Sequence, residues 1–138
     1  MKKIKVKDIL GHSHSLMNDM VINTASQLEN AYVIIKLDDL LKERGITQKD
    51  LAFLTGMRVG TISEIANGKG ISWNKAQLLS IMSALKLTSF SQLYEIRLEP
   101  TQCEEYENES TEWIATKEMP NTVKDMYREN LLKSRGLD

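Results

Sequence analysis

The sequence predicts an all-α protein, a bundle of five helices with extensions at both ends. Three observations carry that reading. Apolar residues between positions 37 and 96 recur mostly at helical spacing. Residues that start and stop helices punctuate them, with Thr47, Ser72 and Ser89 as starts and Gly45, Gly56 and the pair Asn67-Gly68 as stops. Within residues 46–68, two short helical patterns flank a glycine turn, which is the layout of a helix-turn-helix.

Each helix of the bundle has its own justification. Leu37, Leu40 and Leu41 form the apolar face of the first, which ends at Gly45 after Lys42-Glu43-Arg44. Thr47 caps the second, with Asp50 three residues on in the manner of a capping box. Leu51, Ala52 and Leu54 are expected to face inward, and Gly56 closes this helix. Residues 58–67 form the third, with Ile62 and Ile65 on its buried side. Ser72 is the expected cap of a fourth, whose apolar face is Leu78, Leu79, Met82 and Leu85. Ser89 with Gln92 caps a fifth, carrying Leu93 and Ile96.

The flanks read differently. Ile4, Val6 and Ile9 are interspersed with lysines and Asp8, the pattern of a short strand or an extended arm. Gly11, His12, Ser13, His14 and Ser15 interrupt it. Met17, Val21, Thr24, Leu28, Ala31 and Ile35 then recur every three or four residues, a near-heptad stripe that serves either as a dimer seam or as cover for the bundle. The β-prone run Tyr32-Val33-Ile34-Ile35 is where such a helix is expected to break or kink. Beyond Pro100, Glu104, Glu105, Glu107, Glu109 and Glu112 read as a polar linker. Pro120 stands where a last helix begins, with Val123, Met126, Tyr127, Asn130 and Leu131 along one face. The organisation is thus an N-terminal arm and helix (1–32), a helical domain (33–98), an acidic linker (99–119) and a C-terminal helix (120–138).

Composition narrows the classes of function. The hydrophobic fraction is 41 %, enough for a packed core in a chain of 138 residues. No apolar run approaches the roughly 20 residues that span a bilayer, and the lysine-rich start lacks the apolar segment of a signal peptide. The single cysteine, Cys103, has no partner for an internal disulfide, so a reduced, cytoplasmic setting is expected. Net charge is −1, but it is unevenly spread: +1 over residues 1–32, +3 over 33–98 and −5 over 99–138. A mildly basic middle suits a polyanion, and an acidic tail is repelled by one.

At Gly45-Ile46-Thr47-Gln48, Leu51-Ala52, Gly56, Thr61-Ile62-Ser63 and Asn67-Gly68-Lys69 the chain resembles the phage-repressor class of helix-turn-helix domains, the group of lambda repressor and Cro. The resemblance runs from about residue 37 to 96. It implies a compact bundle of about five helices and operator binding by a homodimer on double-stranded DNA. Gln48 matches the glutamine that touches the DNA backbone from the start of helix two. Arg58, Val59, Gly60 and Thr61 match the exposed start of the recognition helix, Ser63 and Glu64 its next outward turn, and Asn67 and Lys69 the loop that meets phosphate. Two residues depart from the pattern. Gly60 has no side chain to read a base and costs about 1 kcal/mol of helix stability against alanine. Glu64 puts a carboxylate where a polar or basic residue is usual, although a carboxylate accepts from cytosine N4.

The expected function is therefore a sequence-specific DNA-binding transcriptional regulator of a prophage or mobile element. Arg58 is read as a guanine or phosphate contact, with Lys69 and Lys75 on phosphates. The alternative is a protein-interaction module, such as an antitoxin or a regulator that holds a partner protein through the C-terminal helix. Trp113 is read as a docking anchor and Trp73 as a core or interface aromatic. No nucleophile–base set suggests an enzyme and no cofactor is expected. His12 and His14 have no nearby cysteine or carboxylate cluster to complete a metal site. Carboxylates beside Cys103 are expected to disfavour its thiolate.

Overall fold

A computed structural model describes residues 1–13, 19–69 and 74–135. The described chain is mostly helical, but its N-terminal half opens on a strand, β1 (Lys2–Lys5), followed by α1 (Val6–Ser13) and α2 (Asp19–Ala25). A turn of 3-10 helix at Ser26–Leu28 leads into β2 (Tyr32–Ile35). The central helices are α3 (Leu37–Glu43), α4 (Gln48–Thr55), α5 (Val59–Asn67) and α6 (Lys75–Leu85). A second 3-10 turn, Phe90–Gln92, precedes β3 (Tyr94–Arg97). The chain ends in α7 (Pro100–Thr116) and α8 (Asn121–Ser134).

The three strands form one antiparallel sheet in the order β1-β2-β3. This corrects the all-α expectation, and it removes the fifth helix of the bundle. Ser89 and Gln92 do form a capping box, with the Gln92 side chain accepting from the Ser89 backbone, but the cap opens only a single 3-10 turn. Tyr94, Glu95, Ile96 and Arg97 then pair with Ile35, Ile34, Val33 and Tyr32. The pairing satisfies backbone groups that a five-residue helix would leave largely unpaired. Similarly, the stripe from Met17 to Ile35 is not one helix. Met17 lies outside the described residues, Val21 is exposed, and Tyr32–Ile35 is a strand, so the β-branched run overrides the helical spacing before it.

One face of the sheet closes the core. Val33 and Ile35 are buried against Leu37, Leu40, Leu41, Leu51, Ile62, Ile81 and Leu85, with Ile4 and Tyr94 packed at the margin. By register, the other face carries Lys3, Lys5, Tyr32, Ile34, Glu95 and Arg97. Ile34 is fully buried there without joining that core, on a face otherwise made of long polar side chains. Glu95 accepts from Arg97 at 2.8 Å and pairs with Lys36 at 3.3 Å. The hydrogen bond and charge of Lys36, and then Arg97, hold its carboxyl below the usual carboxylate range.

The acidic stretch read as a linker is a 17-residue helix. Pro100 does not merely end the preceding unit; it sits in the first turn of α7, where its missing N–H costs nothing. Glutamate is a good helix former, and residues 101–116 contain neither glycine nor proline, so local propensity prevails over low hydrophobicity. α7 lies beside α8, with Tyr106, Trp113, Val123 and Met126 lining the cleft between them. No residue of either helix is fully buried.

Candidate nucleic-acid interface

The helix-turn-helix is assembled by local rules that can be followed residue by residue. Thr47 starts α4: its Oγ1 accepts from the Asp50 N–H at 3.1 Å, and the Asp50 carboxylate accepts from the Thr47 N–H at 3.0 Å. Gly56 ends α4 with φ +78°, and its N–H donates to Ala52 O at 2.8 Å. The Thr55 hydroxyl donates back to Leu51 O and accepts from the Met57 N–H at 3.2 Å, which pins the turn. Arg58 is extended and caps α5, and its carbonyl accepts from Ile62 N–H. Ile62, Ile65 and Ala66 then bury one side of α5 against the core. The C-terminus is closed by Gly68 at φ +70°, with Gly68 N–H on Ile65 O and Lys69 N–H on Glu64 O at 2.8 Å.

This frame sorts the expected contact residues. Arg58, Val59, Gly60, Glu64 and Lys69 are exposed, and they include the N-cap and the first two residues of α5. Among the described residues, the Arg58 guanidinium has no hydrogen bond or ion pair, and no side-chain cap ties it to the helix. Thr61 and Ser63 are half-buried. Asn67 is half-buried too, and its amide donates to Ser63 O at 2.9 Å, so it is engaged within the helix. Gln48 is half-buried, and its amide donates to Asp38 Oδ1 at 3.0 Å. A backbone contact from Gln48 therefore requires that bond to be exchanged.

Several expectations shift. Leu54 is 61 % exposed, because α4 buries Leu51 and Ala52, with half-buried Thr55 continuing that face to the last turn. Next to it Phe53 is 80 % exposed, a large apolar side chain that the sequence reading passed over. Leu79 is also outward at 65 %, and Ile81 takes its place in the core. The cap of α6 is Asn74, whose side chain accepts from Ala76 N–H at 2.7 Å; the expected cap Ser72 and the aromatic Trp73 lie outside the described residues, as does His14. Lys75 is exposed in the first turn of α6.

Cys103 is half-buried on α7, and Glu107 rather than its neighbours Glu104 and Glu105 sets its chemistry. The hydrogen bond to Glu107 and that residue's negative charge push the thiol up. The described residues include no cluster of three metal-ligating side chains. No helix is long and apolar enough to cross a membrane, as judged over the same residues.

Comparison with known proteins adds one finding. Neither a curated protein nor a solved structure matches the chain. Residues 36–98, however, match the family model of the Cro/C1-type HTH DNA-binding domain. The matched segment starts just after β2, contains all four central helices and ends just after β3. The capped α4, the glycine turn and the outward α5 thus coincide with a family match that supports a helix-turn-helix DNA-binding domain in the middle of this chain.

Proposed function

We propose that the chain is a sequence-specific DNA-binding transcriptional regulator that inserts α5 into the major groove and acts as a homodimer in the cytoplasm. The observation that carries this reading is Arg58. It stands at the N-terminus of α5, exposed and without a partner among the described residues, beside the exposed Val59-Gly60 turn. Two subunits reach half-sites one helical turn, about 34 Å, apart. By its resemblance to phage repressors, the regulated unit is a prophage or mobile element. Base reading rests on Arg58, Thr61 and Ser63, with Glu64 restricted to accepting from cytosine.

The test is Arg58→Ala against a duplex selected from random DNA. Loss of a bidentate guanine contact costs about 1–3 kcal/mol, roughly 5- to 150-fold in affinity. The melting curve should stay in place, since no side-chain bond of Arg58 holds the fold. Unchanged binding in a gel shift removes Arg58 from the interface.

A second reading has its own support. α7 and α8 leave Trp113, Ile114, Tyr127 and Leu132 exposed, and neither helix has a fully buried residue. A hairpin of this kind suits a protein-interaction role, in which the chain holds a partner protein. Salt titration on random DNA separates the two readings: DNA binding falls steeply with log salt, and protein capture with a flat slope favours the second.

A further inference from the structure

We infer that strand β1 is a second, sequence-independent contact to the DNA backbone: a fixed lysine ridge that grips phosphates beside the end of α5. The inference rests on the DNA-binding reading above and extends it to a part of the chain outside the matched segment.

The first observation is placement. Ile4 of β1 reaches across to Gly68, the residue that caps α5; a side chain at Gly68 would overlap Ile4 Cδ1 and stand 3.1 Å from Ile35 Cδ1. The strand is thus seated on the end of the recognition helix, and it is held on its other side by four paired residues of β2. It is a fixed element, not a trailing arm.

The second observation is charge. A cleft of about 810 Å³ runs along the free edge of β1, lined by Lys2, Lys3, Lys5, Tyr32 and Lys69, with Asp8 as its one acidic residue. Four ammonium groups against one carboxylate leave the cleft strongly positive. Among the described residues, no ion pair neutralises any of the four lysines. Lys3 and Lys5 alternate with Ile4 and so stand on the other face of the strand, bordering the same cleft from there, with Lys3 Nζ 5.0 Å and Lys5 Nζ 6.0 Å from the centre of the Tyr32 ring. The ring face attracts both cations but cannot cancel their mutual repulsion, which an incoming anion does.

Geometry selects the anion. The major groove is about 12 Å wide, and an α-helix with its side chains is about 10–12 Å across. A helix lying in the groove fills it, so whatever is packed against that helix's end meets the bordering sugar-phosphate strand. Backbone N–H groups of Gly68 and Lys69 occupy two carbonyls of the last turn of α5, Ile65 O and Glu64 O, which partly offsets the negative end of its dipole at this point. Lysines on an edge strand also discourage edge-to-edge pairing between sheets. That role alone predicts no effect on DNA.

The experiment is a salt titration of the full chain with two duplexes, one selected from random DNA and one of unrelated sequence. Each phosphate contact adds about 0.9 to the slope of log K against log salt. Lys3→Gln/Lys5→Gln should therefore lower the slope by about 1.8, with affinity falling on the order of 10- to 100-fold at 0.1 M salt. The loss should be equal on both duplexes, whereas Arg58→Ala affects mainly the selected one. Lys3→Arg/Lys5→Arg should keep the original slope. Lys69→Gln, outside the strand, should remove about 0.9 without touching the sheet. If the unmodified protein binds steeply and Lys3→Gln/Lys5→Gln keeps its slope, whatever Lys69→Gln does, the ridge is edge protection only and the inference is overturned. If the unmodified protein shows no salt-dependent binding to either duplex, the DNA-binding reading falls and the ridge falls with it.

Discussion

Substituting Gly68 with alanine tests whether β1 is truly locked to the end of α5. Gly68 has φ +70°, a left-handed conformation that costs an L-residue about 1–2 kcal/mol. The new methyl also meets Ile4 Cδ1 head on. That atom is the tip of a flexible side chain, so Ile4 can turn away at about 0.5–1.5 kcal/mol for an off-rotamer angle. Gly68→Ala should therefore destabilise the fold by about 1.5–3.5 kcal/mol. Gly56 is the internal reference: its φ is +78°, but a side chain there meets nothing within 4 Å. Gly56→Ala should show the backbone cost alone, about 1–2 kcal/mol. The difference, about 1 kcal/mol, belongs to the Ile4 contact. Ile4→Val deletes only Cδ1, so the double variant Gly68→Ala/Ile4→Val should recover that amount in a double-mutant cycle. Urea denaturation followed by circular dichroism reads the unsubstituted chain and all four variants, provided the m-values agree. Equal losses at Gly68 and Gly56, with no coupling to Ile4, would refute the seating of the strand on the helix.

Two further outcomes can be checked with the same apparatus. Thr47→Ala removes the hydroxyl that accepts from Asp50 N–H, and it should cost about 0.5–2 kcal/mol; a change under about 0.3 kcal/mol by urea titration would mean that the capping box is not formed in solution. Glu95 has its carboxyl held low by Lys36 and Arg97, so its stabilisation is present at neutral pH and is lost as pH falls through the depressed folded value. The stability gap between the natural chain and Glu95→Gln should accordingly shrink between neutral pH and about pH 3, and a gap that stays constant would show that the ion pairs contribute nothing.

The central segment was the most legible part of the sequence because its signals are local. Thr47 with Asp50, Gly56, and Asn67-Gly68 each act within one turn of chain, and each does in the structure what its residue type implies. Periodicity was weaker evidence. It put Leu54 and Leu79 inside, yet both are exposed, because helices of 8 and 11 residues are too short for spacing alone to fix which side turns inward. The sheet was the least legible. β1, β2 and β3 are 4 residues each, and their partners lie far apart in sequence, so no local window contains the pairing. The β-prone run at Tyr32 was legible only as a break or kink in a helix, and the interspersed Ile4 and Val6 left a short strand and an extended arm equally open. The third, Tyr94–Arg97, was hidden behind a genuine cap at Ser89. In α7 the composition pointed to a linker while the residues themselves favoured helix. On α5, Arg58, Val59, Gly60 and Glu64 are outward as expected, but Thr61 and Ser63 are half-buried, and the engagement of Gln48 by Asp38 was not foreseen, since it joins two helices.

The adjacency of β2 and β3 has a further consequence, for folding. Lys36 N–H donates to Leu93 O at 2.9 Å, so the chain leaves the sheet and returns to it at nearly the same point. Closing a flexible loop of that length costs about 3.5 kcal/mol of chain entropy beyond a constant term. Helices α3 to α6 make mainly local bonds and shorten the effective loop as they form, so the sheet is placed to zip late and seal a segment already organised. Once sealed, that segment is held at two places: the β2–β3 stem, and β1, whose Ile4 meets the end of α5 at Gly68. The residues after β3 leave from the stem alone, so changes in their length do not alter how α5 is held.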